Sequence, residues 1–261
     1  MGTTALITGA SSGIGLELAK IHASRGGNLV LVARREEKLA NLKADLEKKY
    51  GVSVQYIVKD LFIPNAPKEV YEEVENRNIT VDYLINNAGF GYFGMFREAD
   101  WDKDFQTIDL NITVLTQFCK LFLQDMLKQG SGKIMNIASS AAFQPGPKMA
   151  VYYATKAYVL HFSEALNNEV RKMGITVTTL CPGPTTTGFP TAVDRTNSRL
   201  LKILSLPTAR EVAKYGYKAM INGRSVAIYG TLNTVMATSV RFIPRSLVVK
   251  TVRLIQEKSK P

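Results

Sequence analysis

Tyr152 lies thirteen positions after Ser139 and four positions before Lys156. Those three residue types could act together on one oxygen atom. A phenol is a weak acid with a reference pKa of about 10, so it exchanges protons near neutrality only where its anion is stabilised. An ammonium one helical turn away is such a group, because residues i and i+4 share a helix face. A serine hydroxyl adds a second hydrogen-bond donor. A tyrosine four residues before a lysine is also a common surface pair, so the spacing takes its meaning from the elements around it.

Ser139 follows the apolar stretch 133–138, which reads as a buried strand. A helix starting near Met149 would bring Tyr152 back beside that strand end. The same alternation runs through the chain. Strand-like runs fall at 4–8, 28–33, 53–58, 83–86, 133–138, 176–180 and 225–228. Helical patterns fall at 14–24, 36–50, 66–77, 104–129, 151–173 and 209–221, and Gly51, Gly130 and Gly174 sit where helices should stop. Continuous apolar strands between helices predict an α/β fold, a parallel sheet covered on both faces. Neither a linker nor a repeat interrupts the chain, so a single domain over 1–261 is expected. Ligands of such sheets bind beyond the carboxyl ends of the strands. Gly9, Arg34, Asp60, Asn87, Ser139 and Pro182 stand at six successive strand ends.

The first of these ends is the turn Thr8-Gly9-Ala10-Ser11-Ser12-Gly13-Ile14-Gly15. Glycines let a backbone turn sharply and approach a pyrophosphate, and the free N–H groups of the following helix attract its charge. At the end of the second strand an acidic residue would accept bonds from a ribose 2′-hydroxyl. This chain has Ala33 and then Arg34 and Arg35 there. An arginine pairs instead with a 2′-phosphate, so NADPH is expected over NADH; a solvated helix start is the other reading of the two arginines. Asp60 could meet an adenine amino group or serve a turn. Asn86-Asn87-Ala88-Gly89 turns sharply after the fourth strand.

Bulk properties narrow the field. The 261 residues are 46% hydrophobic, enough for a sizeable core, and carry a formal net charge of +11. A basic surface attracts anions without choosing among them. Aromatic–basic interleaving and Cys/His finger spacing are both missing, which argues against nucleic acid. Two cysteines, Cys119 and Cys181, make no disulfide framework and point to a reducing compartment. His22 and His161 are the only histidines, so neither a metal site nor a histidine-based triad is expected. No secretory signal stands at the start, and Leu6 occupies the place where myristoylation requires Ser or Thr. The uncharged stretch 225–240 is short for a membrane span. A soluble, cytoplasmic protein is expected.

Taken with their order and spacing, these motifs resemble the short-chain dehydrogenase/reductase family over nearly the whole chain. The matching elements are Thr8 to Gly15, Asn86 to Gly89, Asn111, Ser139, Tyr152-Tyr153-Ala154-Thr155-Lys156 and the run from Pro182 to Thr187. The resemblance implies a Rossmann-like doubly wound parallel sheet of about seven strands. It makes Tyr152 the general acid/base, Lys156 its partner and a holder of the nicotinamide ribose, Ser139 the orienter of the substrate oxygen, and Asn111 the holder of a relay water. A buried asparagine bracing two backbone segments would look the same. Gly9, Ser11, Ser12, Gly13, Ile14 and Gly15 would line the pyrophosphate and adenosine side, with Asp60 and Leu61 near the adenine. Asn87, Ala88 and Gly89 would border the adenosine ribose, and Pro182, Gly183, Thr185 and Thr187 the nicotinamide end. Tyr153 departs from the commonest pattern beside Tyr152, and Thr185 stands where an aliphatic residue is frequent.

The implied chemistry is hydride transfer between NADP(H) and a ketone/alcohol pair. Phe90, Tyr92, Phe93, Phe143, Met149 and Phe189 could give an apolar pocket for a steroid, an acyl chain or an aryl ketone; ordinary core is the other reading. The segment 184–206 reads as a substrate lid. The extension 231–261 is basic, with Pro244 followed by a stripe of Val248, Val252 and Ile255 and by Arg245, Lys250, Arg253 and Lys258. Such a helix suits an anionic membrane or packs on its own domain or a sister subunit; the packed helix is the expectation. Pairing through 104–129 and 151–173 into a homodimer or homotetramer is implied by the resemblance. Two rival functions are a catalytically silent cofactor-binding regulator and a membrane-peripheral, lipid-directed reductase.

Overall fold

The computed structural model describes residues 2–186 and 206–256. The described residues form a seven-stranded parallel sheet in the order β3-β2-β1-β4-β5-β6-β7. Its strands are β1 (Thr4–Thr8), β2 (Asn28–Ala33), β3 (Val54–Val58), β4 (Tyr83–Asn86), β5 (Gly132–Ile137), β6 (Ile175–Cys181) and β7 (Val226–Ile228). The order reverses between β1 and β4, which opens a crevice at their carboxyl ends.

Successive side chains of a strand point to opposite faces, and here both faces are dry. Leu6, Val30, Leu84, Ile134 and Val177 join one core with Phe118, Phe122 and Met126. Ile7, Leu31, Ile85, Met135 and Leu180 join the other with Leu18, Leu39 and Met220. That is why the strands read as unbroken apolar runs. Burying each large aliphatic or aromatic side chain contributes about 1.5–3 kcal/mol, so the two cores fix the sheet between its helix layers.

The covering helices are α1 (Gly13–Ala23), α2 (Glu36–Tyr50), α3 (Ala66–Asn76), α4 (Trp101–Ile108), α5 (Leu115–Gln129), α6 (Ala150–Val170) and α7 (Ala209–Ile221), followed after β7 by α8 (Thr231–Ser239) and α9 (Arg245–Gln256). Gly51, Gly130 and Gly174 take the left-handed conformation at helix or turn ends. The expected helix at 104–129 differs in the structure. It starts earlier, at Trp101, where the Asp100 carboxylate accepts from the Asp102 N–H. It is then interrupted by a wide π-type turn, Asp109–Val114, with Asn111 buried inside it. An apolar 3.6-residue period does not reveal one inserted residue of this kind.

Behind the crevice lies a buried polar chain. Asn86 is paired in register with Asn136 across β4 and β5. Its Nδ2 donates to Asn136 Oδ1 at 2.9 Å, and Asn136 Nδ2 donates to Ser163 Oγ of α6 at 2.9 Å. Burial pushes the neighbouring Cys119 thiol up to about 12, and Cys181 likewise, so both stay neutral and unreactive.

Candidate active site

The crevice is assembled from strand ends clipped to one another. Thr8 Oγ1 at the end of β1 accepts from the N–H groups of Asn87 and Ala88, each at 3.0 Å. Asn87 Nδ2 returns two bonds, to Thr8 O at 3.0 Å and Gly9 O at 3.2 Å. Gly9 has φ of 66° and donates to Val32 O. A Cβ on Gly15 would lie 2.4 Å from Asn87 Nδ2 and 2.6 Å from Gly9 O, so the start of α1 sits directly on the turn. Ser12, its N-cap, makes no side-chain cap, and the first turn holds no acid. The leading N–H groups therefore point into the crevice with the positive end of the helix dipole.

Two arginines close this end. The Arg34 guanidinium stands 3.9 Å from Asp60 Oδ2 and 5.8 Å from the Phe62 ring centre. Arg35 Nη2 donates to Ser11 Oγ at 3.1 Å. Asp60 also accepts from the Phe62 N–H, the turn role that its position allowed. Leu61 turns its side chain into the core.

At the other end, Ser139 caps the short turn Ser140–Phe143 and accepts from the Ala141 N–H at 3.1 Å. Its hydroxyl also shares a hydrogen bond with the Tyr152 phenol. The next residue, Ser140, donates its backbone N–H to Pro182 O at 2.8 Å. Lys156 is 4% exposed, donates to Ile137 O at 2.9 Å, and stands 5.8 Å from the Tyr152 ring centre. Burial pushes the phenol up to about 12, with the Ser139 bond working against it. Burial also pushes the Lys156 ammonium down to about 8. For the chain by itself, desolvation outweighs the groups that would favour the phenolate.

Asn111 braces backbone. Its Oδ1 accepts from Phe90 N–H at 3.0 Å, while Nδ2 donates to Phe90 O at 2.8 Å and to Thr155 Oγ1 at 3.0 Å. Thr155 in turn donates to Tyr152 O. Gly89 lies between Asn111 and Lys156; a Cβ there would come 3.3 Å from Asn111 Oδ1 and 3.5 Å from Lys156 Nζ. Thr155, which had no role in the sequence reading, thus links the wide turn to the tyrosine. Its position three residues after Tyr152, on the same helix face, was the available signal.

Pro182, Gly183 and Thr185 follow β6 at its carboxyl end, where Thr185 Oγ1 donates to Gly183 O. A Cβ on Gly183 would meet the Asn233 side chain of α8. Of the expected pocket residues, Tyr92 and Met149 line a small cavity with Tyr152, Asp104 and Thr107. Phe90 and Phe143 pack against the core. Thr187, Phe189 and most of the expected lid lie outside the described residues. Among the described residues, no group of three His, Cys, Asp or Glu could hold a metal ion.

The short chain dehydrogenase family model matches residues 3–198. The chain belongs to the short-chain dehydrogenase/reductase family. Within that family it is 33% identical over 188 residues to a very-long-chain 3-oxoacyl-CoA reductase of Anas platyrhynchos, covering 70% of this chain and 59% of the other. It is 34% identical over 185 residues to the inactive hydroxysteroid dehydrogenase-like protein 1 of Homo sapiens, covering 69% and 55%. The chain spans between half and two thirds of the length of these curated relatives. Among solved structures, a short-chain dehydrogenase from Sphingobium yanoikuyae in complex with NADPH matches at a TM-score of 0.80 and 31% identity, over 94% of this chain and 97% of that one. A 7β-hydroxysteroid dehydrogenase matches at 0.87 but 23% identity, a likeness of fold.

Proposed function

We propose that this short-chain dehydrogenase/reductase is an NADPH-dependent carbonyl reductase, working reversibly on a ketone and its secondary alcohol. The observation that carries the reading is the meeting of Ser139, Tyr152 and Lys156 beside a glycine turn shaped for a dinucleotide. The fit of the cofactor is supported by the uncapped start of α1, whose first turn holds no acid, and by the tight turn that the positive φ of Gly9 and Gly13 allows beneath it.

A bound NADPH supplies the hydride. The chain supplies position and a proton. Gly9, Ser11, Ser12, Gly13, Ile14 and Gly15 hold the pyrophosphate side, Arg34 and Arg35 take the 2′-phosphate, and Asp60 faces the adenine. Ser139 Oγ and the Tyr152 O–H both donate to the substrate carbonyl oxygen, and Tyr152 gives up its proton as negative charge grows there. Lys156 holds the ribose hydroxyls and the charge balance of the phenol. Asn111 fixes the Phe90 segment and, through Thr155, the base of the tyrosine. The chain works as one catalytic domain over 1–261. Trp101, Phe105 and Tyr158, exposed on α4 and α6, support pairing into a homodimer or homotetramer. The Sphingobium yanoikuyae relative, a structure with NADPH, supports the choice of cofactor.

NADPH consumption against ketosteroids, 3-oxoacyl thioesters, sugars and aryl ketones tests the reading. Turnover is expected with at least one apolar ketone; NADPH binding with no turnover on any of them would make the protein a silent cofactor binder. In the same assay Arg34→Asp is expected to weaken NADPH binding by roughly 10- to 100-fold, the loss of a charge-assisted contact, while NADH binding holds or improves. Unchanged NADPH affinity removes Arg34 from the 2′-phosphate site.

A further inference from the structure

We propose that α8 and α9 form a foot that docks this protein on an anionic lipid bilayer, beside the mouth of the catalytic crevice. Of fifteen large hydrophobic side chains exposed among the described residues, eight fall in 231–256. Leu232 and Val235 stand out from α8, Phe242 from the turn between the helices, and Leu247, Leu254 and Ile255 from α9. Phe242 is 82% exposed and Leu254 70%. The expected stripe of α9 is split: Val248 is buried, Val252 is half-buried and Ile255 faces out. The helix therefore packs on its own domain as expected, yet its outer face is apolar as well as basic.

Charge selects the occupant. Residues 231–256 contain Arg241, Arg245, Lys250 and Arg253 and no Asp or Glu. Arg241, Arg245 and Lys250 are exposed and form none of the ion pairs among the described residues. A second copy would set cation against cation with no carboxylate on this segment to answer it. A bilayer containing anionic lipid offers acyl chains to the apolar tips and negative headgroups to the cations in one surface.

The foot is fixed against the crevice at two points. Asn233 of α8 packs on Gly183. Gln256 of α9 is buried and its Nε2 donates to the Tyr153 hydroxyl at 2.7 Å. Tyr153 adjoins Tyr152, their ring centres 6.2 Å apart. Docking would hold the crevice at the membrane surface, where an apolar ketone partitions.

Flotation of the full chain with phosphatidylcholine vesicles, with and without phosphatidylserine, tests this. Recovery with the phosphatidylserine vesicles and its loss in high salt are expected. Arg241→Glu with Lys250→Glu should lower partitioning by roughly 25-fold or more, from contributions of about fivefold per cation, and Phe242→Glu should abolish it. NADPH turnover on a water-soluble ketone should be unchanged in these variants, which separates a failure to dock from a failure of catalysis. Absence of recovery on phosphatidylserine vesicles overturns the proposal, whether a second copy or another protein then proves to cover the patch. Recovery that Phe242→Glu leaves intact overturns it too.

Discussion

Tyr152→Phe is expected to lower kcat by roughly 10²- to 10⁴-fold, the range of a lost general acid, with NADPH affinity nearly unchanged. The substitution removes one oxygen and leaves the ring that lies against Gly91, where a Cβ would come 2.7 Å from Tyr152 Cδ2. Cofactor titration and single-turnover reduction on the same preparation separate the two effects. The wild-type pH profile carries a companion expectation. Reduction needs the phenol protonated, a condition met below about 12, and the Lys156 ammonium charged, a condition met below about 8. The kcat/KM for reduction should therefore fall as pH rises through the lower value. A Phe variant with ordinary turnover takes the phenol out of the mechanism altogether.

Gly15→Ala should damage the dinucleotide end through packing alone. Gly15 is absent from the glycines with positive φ, so backbone conformation does not forbid alanine. The obstacle is contact: the new methyl would lie 2.6 Å from Gly9 O, a backbone atom, and 2.4 Å from the amide that clips β4 to β1. Neither neighbour is the free end of a flexible chain. Overpacking of this kind costs about 1–3 kcal/mol, which appears as a fall of several degrees in Tm. Because the displaced groups are the turn itself, NADPH affinity should fall with it. Calorimetry with and without NADPH checks both; a variant with wild-type Tm and affinity would show that α1 does not need its close seat.

The sheet was legible because its strands are buried on both faces and its helices are not. Every strand-like run of the sequence became a strand, with ends displaced by no more than one residue. The helices at 36–50 and 209–221 end where their patterns end. The wide turn around Asn111 was hidden because an inserted residue leaves the apolar composition intact. At the site, the convergence of Ser139 with Tyr152 could be anticipated from spacing, since a strand end and a helix start are rigid references. The bracing roles of Thr8 and Thr155 could not. Each depends on which backbone carbonyl or N–H lies within 3 Å, and that is settled by how strands abut. The electrostatic balance around the phenol was equally out of reach. A four-residue spacing gives the direction of a charge effect, while burial, which here pushes the phenol up to about 12, depends on the whole fold.

The polar ladder of Asn86, Asn136 and Ser163 has a consequence for strand alignment. Parallel strands are joined through long connections and are slow to find one another, and apolar residues alone tolerate sliding. Slipping β5 by one residue against β4 would turn Asn136 to the opposite face, away from both Asn86 and Ser163, and strand its amide among aliphatic side chains. A buried amide without a partner costs about 1–3 kcal/mol. The ladder thus favours, at the centre of the sheet, the one alignment of β4 and β5 that creates the crevice.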